Sequence, residues 1–333
     1  MLKIKNIKFI IFLFLGIFLF KWVYDFFGGI EALDLINKKK SKLYLLVLAH
    51  IPTLYFDALT WFVLLKKKSI SFFWSLIITW IAQTSGKFFP TGNVTGEFVR
   101  IYLGIKKGLS PHEASSTVFA DLILATFSLF IIGLFSFFLV IFKDSSLIDS
   151  NYSHYIYISL ITIFFGCIFF YSIIKRRLLR HFIRKYNSIF NIKLDKKTIL
   201  FFIKLDISLY SLNKRKGTVL KALLLRLIGW LAGAFEIYVF LLIMDVHVSI
   251  VDVILIESFT GIIRAIAFFV PAGIGIQELA FVVIGNYVGL SPSVAFSVAI
   301  GRRVREFLVG IPAIVTWLIF FGKDLKVKKG LDK

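Results

Sequence analysis

Eight stretches of this chain, at about 9–27, 43–65, 70–89, 117–142, 155–174, 220–244, 250–270 and 292–321, each run for nineteen residues or more with few charges. A helix of about 20 apolar residues matches the roughly 30 Å hydrocarbon core of a bilayer, so the pattern selects a membrane before any motif is considered. Lipid offers the backbone no hydrogen bonds, which leaves helices and closed barrels as the spanning structures. Barrel strands alternate with period two over about ten residues, and these runs do not alternate. The expectation is an all-α polytopic membrane protein.

Two further apolar runs, 97–105 and 276–288, are too short to cross. A dozen helical residues rise only about 18 Å. Each follows a proline and glycine, Pro90-x-Gly92 and Pro271-x-Gly273-x-Gly275, which mark bends. The runs therefore read as returning arms of two re-entrant hairpins, 70–105 and 250–288, beside six full spans.

The two bends are copies of one another. Residues 88–116 and 269–297 align without a gap, and eleven of the twenty-nine positions are identical. Chance would give about a tenth in so biased a composition. Pro90, Gly92, Glu97, Gly108-Leu109-Ser110-Pro111 and Ala114 return as Pro271, Gly273, Glu278, Gly289-Leu290-Ser291-Pro292 and Ala295. Repeat one covers about 43–142 and repeat two about 220–321, within one integral membrane domain, 1–333.

The formal net charge is +21, from 40 lysines and arginines against 19 acids. In a soluble chain this would suggest nucleic acid. Here the basic residues cluster between apolar runs, so the implied partners are membrane lipids, anionic headgroups above all, and not nucleic acid. Cytoplasmic loops carry the excess of Lys and Arg. With both termini cytoplasmic, Lys66-Lys67-Lys68, Lys106-Lys107, 175–219 and the tail from Lys323 fall inside, while 143–154 and 245–249 fall outside. Lys38, Lys39, Lys40 and Lys42 are the exception, tempered by Glu31 and Asp34. Three spans separate the hairpins on this arrangement, and an odd number makes the repeat inverted, as in secondary transporters. The 175–219 loop, with bases at 175–177, 180, 184 and 185 among helically spaced apolar residues, reads as an amphipathic surface helix. The amino terminus resembles a secretory signal but lacks a small-x-small cleavage site, so a retained first helix is expected, with Lys21 and Asp25 paired across one turn.

Glu97 and Glu278 are the chemistry of the bends. A carboxylate in hydrocarbon must be paired, protonated or wet. Each stands near the start of a returning arm, where unpaired N–H groups favour negative charge, so each either caps its arm or binds a cationic or protonic ligand. Cations lie nearby: Arg100 beyond Glu97, Arg264 before Pro271, and Arg302, Arg303 and Arg305 in the last span. Arg302 is spaced to pair with Glu306, and the arginine fork suits phosphate. A polar cavity lined by Glu97, Arg100, Arg264, Gln277, Glu278 and one or more of Arg302, Arg303 and Arg305 would admit a lipid headgroup. Asp121, at the position duplicating Arg302, is expected to complete the pairing, while Glu236 and Glu257 receive no partner. Ser110 with Glu113, and Ser291, are expected caps of the following spans. The single cysteine, Cys167, precludes a disulfide within the chain, the five histidines lack metal spacing, and no phosphate or dinucleotide loop is complete. No cofactor is expected.

Pro90-x-Gly92 with Glu97 and Arg100, the Gly-Leu-Ser-Pro block with Ala114, and Val270-Pro271-Ala272-Gly273-Ile274-Gly275 with Gln277, Glu278, Arg302 and Arg303 together resemble the lysylphosphatidylglycerol synthase transmembrane-region family, also called flippase-like, and within it the hopanoid-biosynthesis-associated branch. The resemblance runs from about residue 5 to 322. It implies a bacterial plasma-membrane protein that moves polar lipids between leaflets, with Glu97, Arg100, Glu278 and Arg302 or Arg303 at the matching positions. The chain stops about a dozen residues after its last span, so the lysine-transferring domain of bifunctional members is not expected. Two other readings use the same residues: a membrane-embedded enzyme acting on a lipid phosphate, and a noncatalytic subunit of a lipid-synthesis complex.

Overall fold

A computed structural model describes residues 2–66, 69–89, 93–143, 214–267 and 270–322, with isolated positions between 161 and 211. Most of the expected span at 155–174 and of the basic loop 175–219, together with Pro90 and Gly92 of the first bend, lie outside the described residues, while Lys216–Val219 of that loop open a helix. The described residues contain no strand. The helices are α1 (Leu2–Phe26), α2 (Gly29–Lys38), α3 (Leu45–Leu64), α4 (Phe72–Phe88), α5 (Asn93–Lys106), α6 (Pro111–Lys143), α7 (Lys216–Ile243), α8 (Ile250–Ile266), α9 (Ile276–Tyr287) and α10 (Pro292–Phe321). Among the described residues four helices are long and apolar enough to cross a membrane: the one ending at Leu64, α6, α7 and α10. Joining α1 to α2, which meet at 79°, would make a fifth. The chain is an all-helical, multi-pass membrane protein.

The helices at the bends are short. With 17, 14, 17 and 12 residues, α4, α5, α8 and α9 rise about 26, 21, 26 and 18 Å. Each of these four helices is thus shorter than the helices that pass as full spans.

Surface and interior are arranged as lipid demands. Phe14, Phe18, Ile311, Leu318 and Ile319 are exposed, whereas Thr60, Ser75, Thr79, Ser128, Thr260 and Ser297 are buried. Apolar attraction between helices vanishes in lipid, so close packing of small residues and hydroxyls takes its place. Many hydroxyls return to their own helix, Ser85 to the Ile81 carbonyl at 2.8 Å and Ser297 to that of Val294 at 2.7 Å.

The chain forms two compact units. The first comprises Met1–Leu54, Ile77–Arg100 and Leu231–Lys333, the second Tyr55–Leu76 and Ile101–Trp230. This division does not follow the duplicated blocks, because 88–100 belongs to the first unit and 101–116 to the second, while all of 269–297 lies in the first.

In the first unit α9 packs against α8 and α10, and α1 packs against α9. The core includes Leu46, Ile237, Leu241, Ile256, Phe281 and Ala299. Helix α2, which the hydropathy pattern did not suggest, lies on α10. Its Ala32 packs with Val23, Val282 and Phe296. Ten residues with one apolar face carry no spanning signal, which is why the hydropathy windows passed over it. Lys21 pairs with Asp25 at 2.6 Å, as its spacing implied.

In the second unit Trp61 Nε1 donates to Thr117 at 3.1 Å, and Trp230 Nε1 to Ser128 at 3.0 Å, joining α3 and α7 to α6. Arg226 of α7 bonds to both Asp57 of α3 and Asp121 of α6.

The Gly-Leu-Ser-Pro blocks build the same joint twice. Gly108 and Gly289 have φ of 103° and 93°, a left-handed turn that favours glycine. Leu109 donates to the Gly104 carbonyl at 3.1 Å and Leu290 to that of Gly285 at 2.9 Å, closing each short helix with a Schellman motif. Ser110 then caps α6 through the Glu113 N–H, and Ser291 caps α10 through that of Val294. The reciprocal half of the expected capping box is not formed. The Glu113 carboxylate instead accepts from Lys66 N–H at 2.9 Å and Ser69 at 2.7 Å, because the turn after α3 brings free donors closer.

Candidate functional site: a buried charge network at the second bend

The second bend is backbone that only small residues permit. Ala272, Gly273 and Gly275 all have positive φ, at 52°, 61° and 81°. A side chain on Gly275 would come within 2.5 Å of the Gly16 carbonyl oxygen of α1. Gly16 is equally tight, with the Ile274 carbonyl oxygen 2.8 Å from where its Cβ would stand. Two glycines thus let α1 run directly against the bend.

Glu278 sits three residues into the turn that opens α9 and is fully buried. Its Oε2 accepts from Gly275 N–H at 2.7 Å, and its Oε1 accepts from Arg303 Nε at 2.8 Å. Arg303 Nη1 also donates to the Ala272 carbonyl at 3.0 Å. Of the two roles open to Glu278, capping is therefore present, and an arginine neutralises the cap.

Helix α10 is the hub of a wider network. Arg302 grips Glu257 of α8 with both terminal nitrogens, at 2.7 and 2.9 Å. Arg305, 2% exposed, reaches Glu236 of α7 at 2.6 Å, and the other oxygen of Glu236 meets His50 Nδ1 of α3 at 2.8 Å. Glu306 accepts from Arg303 at 3.3 Å and faces Lys87 of α4 at 3.8 Å. Successive helical positions differ by about 100°, so 302, 303 and 305 point in three directions and each finds its own carboxylate.

The expected pair of Arg302 with Glu306 is replaced. The two share a helix face, but the bidentate fork to Glu257 supplies two short charged bonds where an i,i+4 contact would supply one. Glu236 and Glu257, which the sequence left without partners, hold central places. Asp121 does not join this network; it belongs to the second unit with Arg226 and Asp57. Glu97 and Arg100 stand 3.6 Å apart on α5. Gly96 lies against α4, where a Cβ would meet the Ala82 carbonyl oxygen at 2.5 Å. Gln277 is buried beside Arg264, whose Nη1 lies 3.5 Å from its Oε1.

Sequence reasoning missed His50, Lys87, Asp57 and Arg226. All four are ionisable residues within apolar windows, a signal that marks functional or structural charge in lipid and that would have found them. Arg302, Arg305 and Glu236 also border a narrow cleft of about 10 Å³ whose other wall is apolar, with Leu46, Ile237 and Phe240. The Nε and Nη1 of Arg305 are buried and meet no acceptor among the described residues. An apolar groove of about 100 Å³ runs between α4 and α10, lined by Ile81, Thr84, Phe88, Ala313, Ile314 and Trp317. Its Phe88 adjoins Lys87, and Gly310 leaves room for the Phe88 ring against α10.

No curated protein and no solved structure matches the chain. A family model does, the lysylphosphatidylglycerol synthase TM region, over residues 7–313. This match takes in α2 to α9, nearly all of α1 and most of α10, including every charged residue of the network on α10, and the chain belongs to that family of membrane domains associated with lipid synthesis or transport.

Proposed function

We propose that the protein is a flippase-like transporter that moves a polar lipid headgroup between the leaflets of the bacterial plasma membrane. One observation carries this reading: a connected set of guanidinium–carboxylate pairs is buried beside a strained bend in a chain whose outer surface is apolar. Burying so many charges in a low-dielectric interior is unfavourable unless they are paired, and a purely structural core would be more stable with apolar residues. The headgroup meets Glu97, Arg100, Arg264, Gln277, Glu278 and the arginines of α10, while an acyl tail occupies the apolar groove between α4 and α10.

The duplicated bends form re-entrant hairpins that enter from opposite faces, with six full spans around them and both termini cytoplasmic. The ion pair of Lys39 with Asp245 supports this topology, since it holds together two loops that the order of spans puts on one face, although the lysines of the first run against the charge pattern. Alternating exposure of the two bends would carry the headgroup across.

The test is a reconstituted-liposome assay with a panel of labelled phospholipids. Wild-type protein is expected to equilibrate at least one lipid between leaflets, and Glu278→Gln, which removes the charge that fixes Arg303, to slow this by about tenfold or more. Absence of any lipid movement by the wild type, or equal rates for the variant, would reject transport at this site. Lipid mass spectrometry of the same vesicles distinguishes the enzymatic alternative, which requires a chemically altered lipid.

A further inference from the structure

Among the charged and polar side chains gathered on α10, His50 is the one whose unperturbed charge changes between about pH 5 and 8. It lies on α3, 5% exposed, with its Nδ1 2.8 Å from Glu236 Oε2 of α7. An ionised carboxylate only accepts, so the hydrogen of the neutral ring sits on Nδ1 and the lone pair on Nε2. Nδ1 makes the ring's one hydrogen bond among the described residues. Glu236 is shared, because its other oxygen lies 2.6 Å from Arg305 Nη2 of α10.

The charges around this pair come from four helices. Arg305 and Lys87 of α4 act on the ring, and Arg302 acts on Glu236. Lys87 is faced by Glu306 at 3.8 Å, and Arg302 is held by Glu257 of α8. The narrow cleft beside Glu236 and Arg305, about 10 Å³, is the size of one water, and Leu46 on its wall lies one turn before His50. The buried Nε of Arg302 and the Nε and Nη1 of Arg305 have no acceptor among the described residues, so water entering there finds donors. Pro52, two residues beyond His50, has no N–H to offer the Leu48 carbonyl, which makes α3 easiest to bend where the histidine sits.

We infer that His50 is a proton-binding site, and that proton uptake there frees Arg305 from Glu236 and loosens α10 from α7. The proton passes from water to the Nε2 lone pair, Nδ1 keeps its hydrogen bond, and the ring becomes a cation against Glu236. While the ring is neutral, Arg305 is the one full charge bonded to that carboxylate. Once the imidazolium forms, a single carboxylate holds two cations, and their repulsion in a low-dielectric interior favours release of the guanidinium. Proton binding stands on this geometry alone; its effect on leaflet exchange rests on the transport reading.

The full-length protein with isotope-labelled histidine should be followed in detergent by nitrogen NMR from about pH 8 to about pH 5, the range in which an imidazole changes charge. Five histidines give five ring signals, and the one lost in His50→Gln belongs to His50. That signal is expected to pass from the Nδ1–H tautomer to the imidazolium. In liposomes the wild type should exchange lipid at least about threefold faster at the acid end of this range than at the alkaline end. His50→Gln should be slow at both, and Glu236→Gln should lose the pH step because the carboxylate that the two cations share is gone. Lys87→Gln and His112→Gln should keep it. A His50 ring that stays neutral throughout, a titrating ring with equal exchange at both ends, or a step that survives His50→Gln overturns the inference. Survival there with loss in Lys87→Gln gives the proton to the lysine instead. A titrating His50 in a protein that moves no lipid keeps the proton site and rejects the transport reading. Should His50→Gln fail to fold, loss of the step in Glu236→Gln with its retention in Lys87→Gln supports the site, and the reverse result overturns it.

Discussion

Arg302, which is paired with Glu257, and Arg264, which makes no ion pair among the described residues, should respond oppositely to loss of charge. Arg302→Gln leaves Glu257 buried without its fork, and removal of one partner of a buried pair destabilises by about 3–5 kcal/mol. A fall in melting temperature in detergent is expected, and Arg302→Gln with Glu257→Gln should recover most of it. Arg264→Gln should show no such fall. A different balance holds at the surface, where Lys39 holds the exposed Asp245 carboxyl below its usual range through their hydrogen bond and charge. A carboxyl so lowered stabilises the fold above its unfolded pKa, and the effect fades as pH falls through the folded value. Asp245→Asn should therefore lower the melting temperature slightly at neutral pH and leave it unchanged in acid. At this scale residue types were legible and partners were not: the sequence offered Glu306 to Arg302 by spacing, whereas Glu257 lies forty-five positions away.

The second bend concentrates the constraints among the elements. Gly275→Ala asks an L-residue to hold φ 81° and drives a methyl to within 2.5 Å of the Gly16 carbonyl. Positive φ alone is worth about 1 kcal/mol, and displacement of α1 adds to it, so a loss of about 2–4 kcal/mol is expected in thermal unfolding. Gly108→Ala bears only the first term, since nothing lies within 4 Å of its Cβ, and should lose about 1 kcal/mol. The apolar windows located α3, α4, α6, α7, α8 and α10 within a few residues, because a bilayer imposes one length and one composition on whatever crosses it. Gly-Leu-Ser-Pro located both helix joints, since its hydrogen bonds close within ten residues. Helix α2 escaped notice because its stability comes from the face it lays on α10, which no local pattern records.

At the scale of the whole molecule the proposed inverted arrangement of the two bends makes the decisive prediction. With the native Cys167 replaced, a cysteine at position 106 should react with membrane-impermeant thiol reagents only from inside, and one at position 287 only from outside. Labelling of both from one side would remove the inverted arrangement. Membrane residence, helical class and the duplication of the block that carries the bend residues were legible in the sequence alone, because hydrophobic length and identical residues at constant spacing are properties of the chain in one dimension. The pairing of charges was decided only by the tertiary structure. Three neighbouring arginines on α10 point along three directions, and which carboxylate waits in each depends on how α7, α8 and α9 pack around them. The same packing leaves Arg264 without an ion pair among the described residues, which a count of charges along the chain cannot reveal.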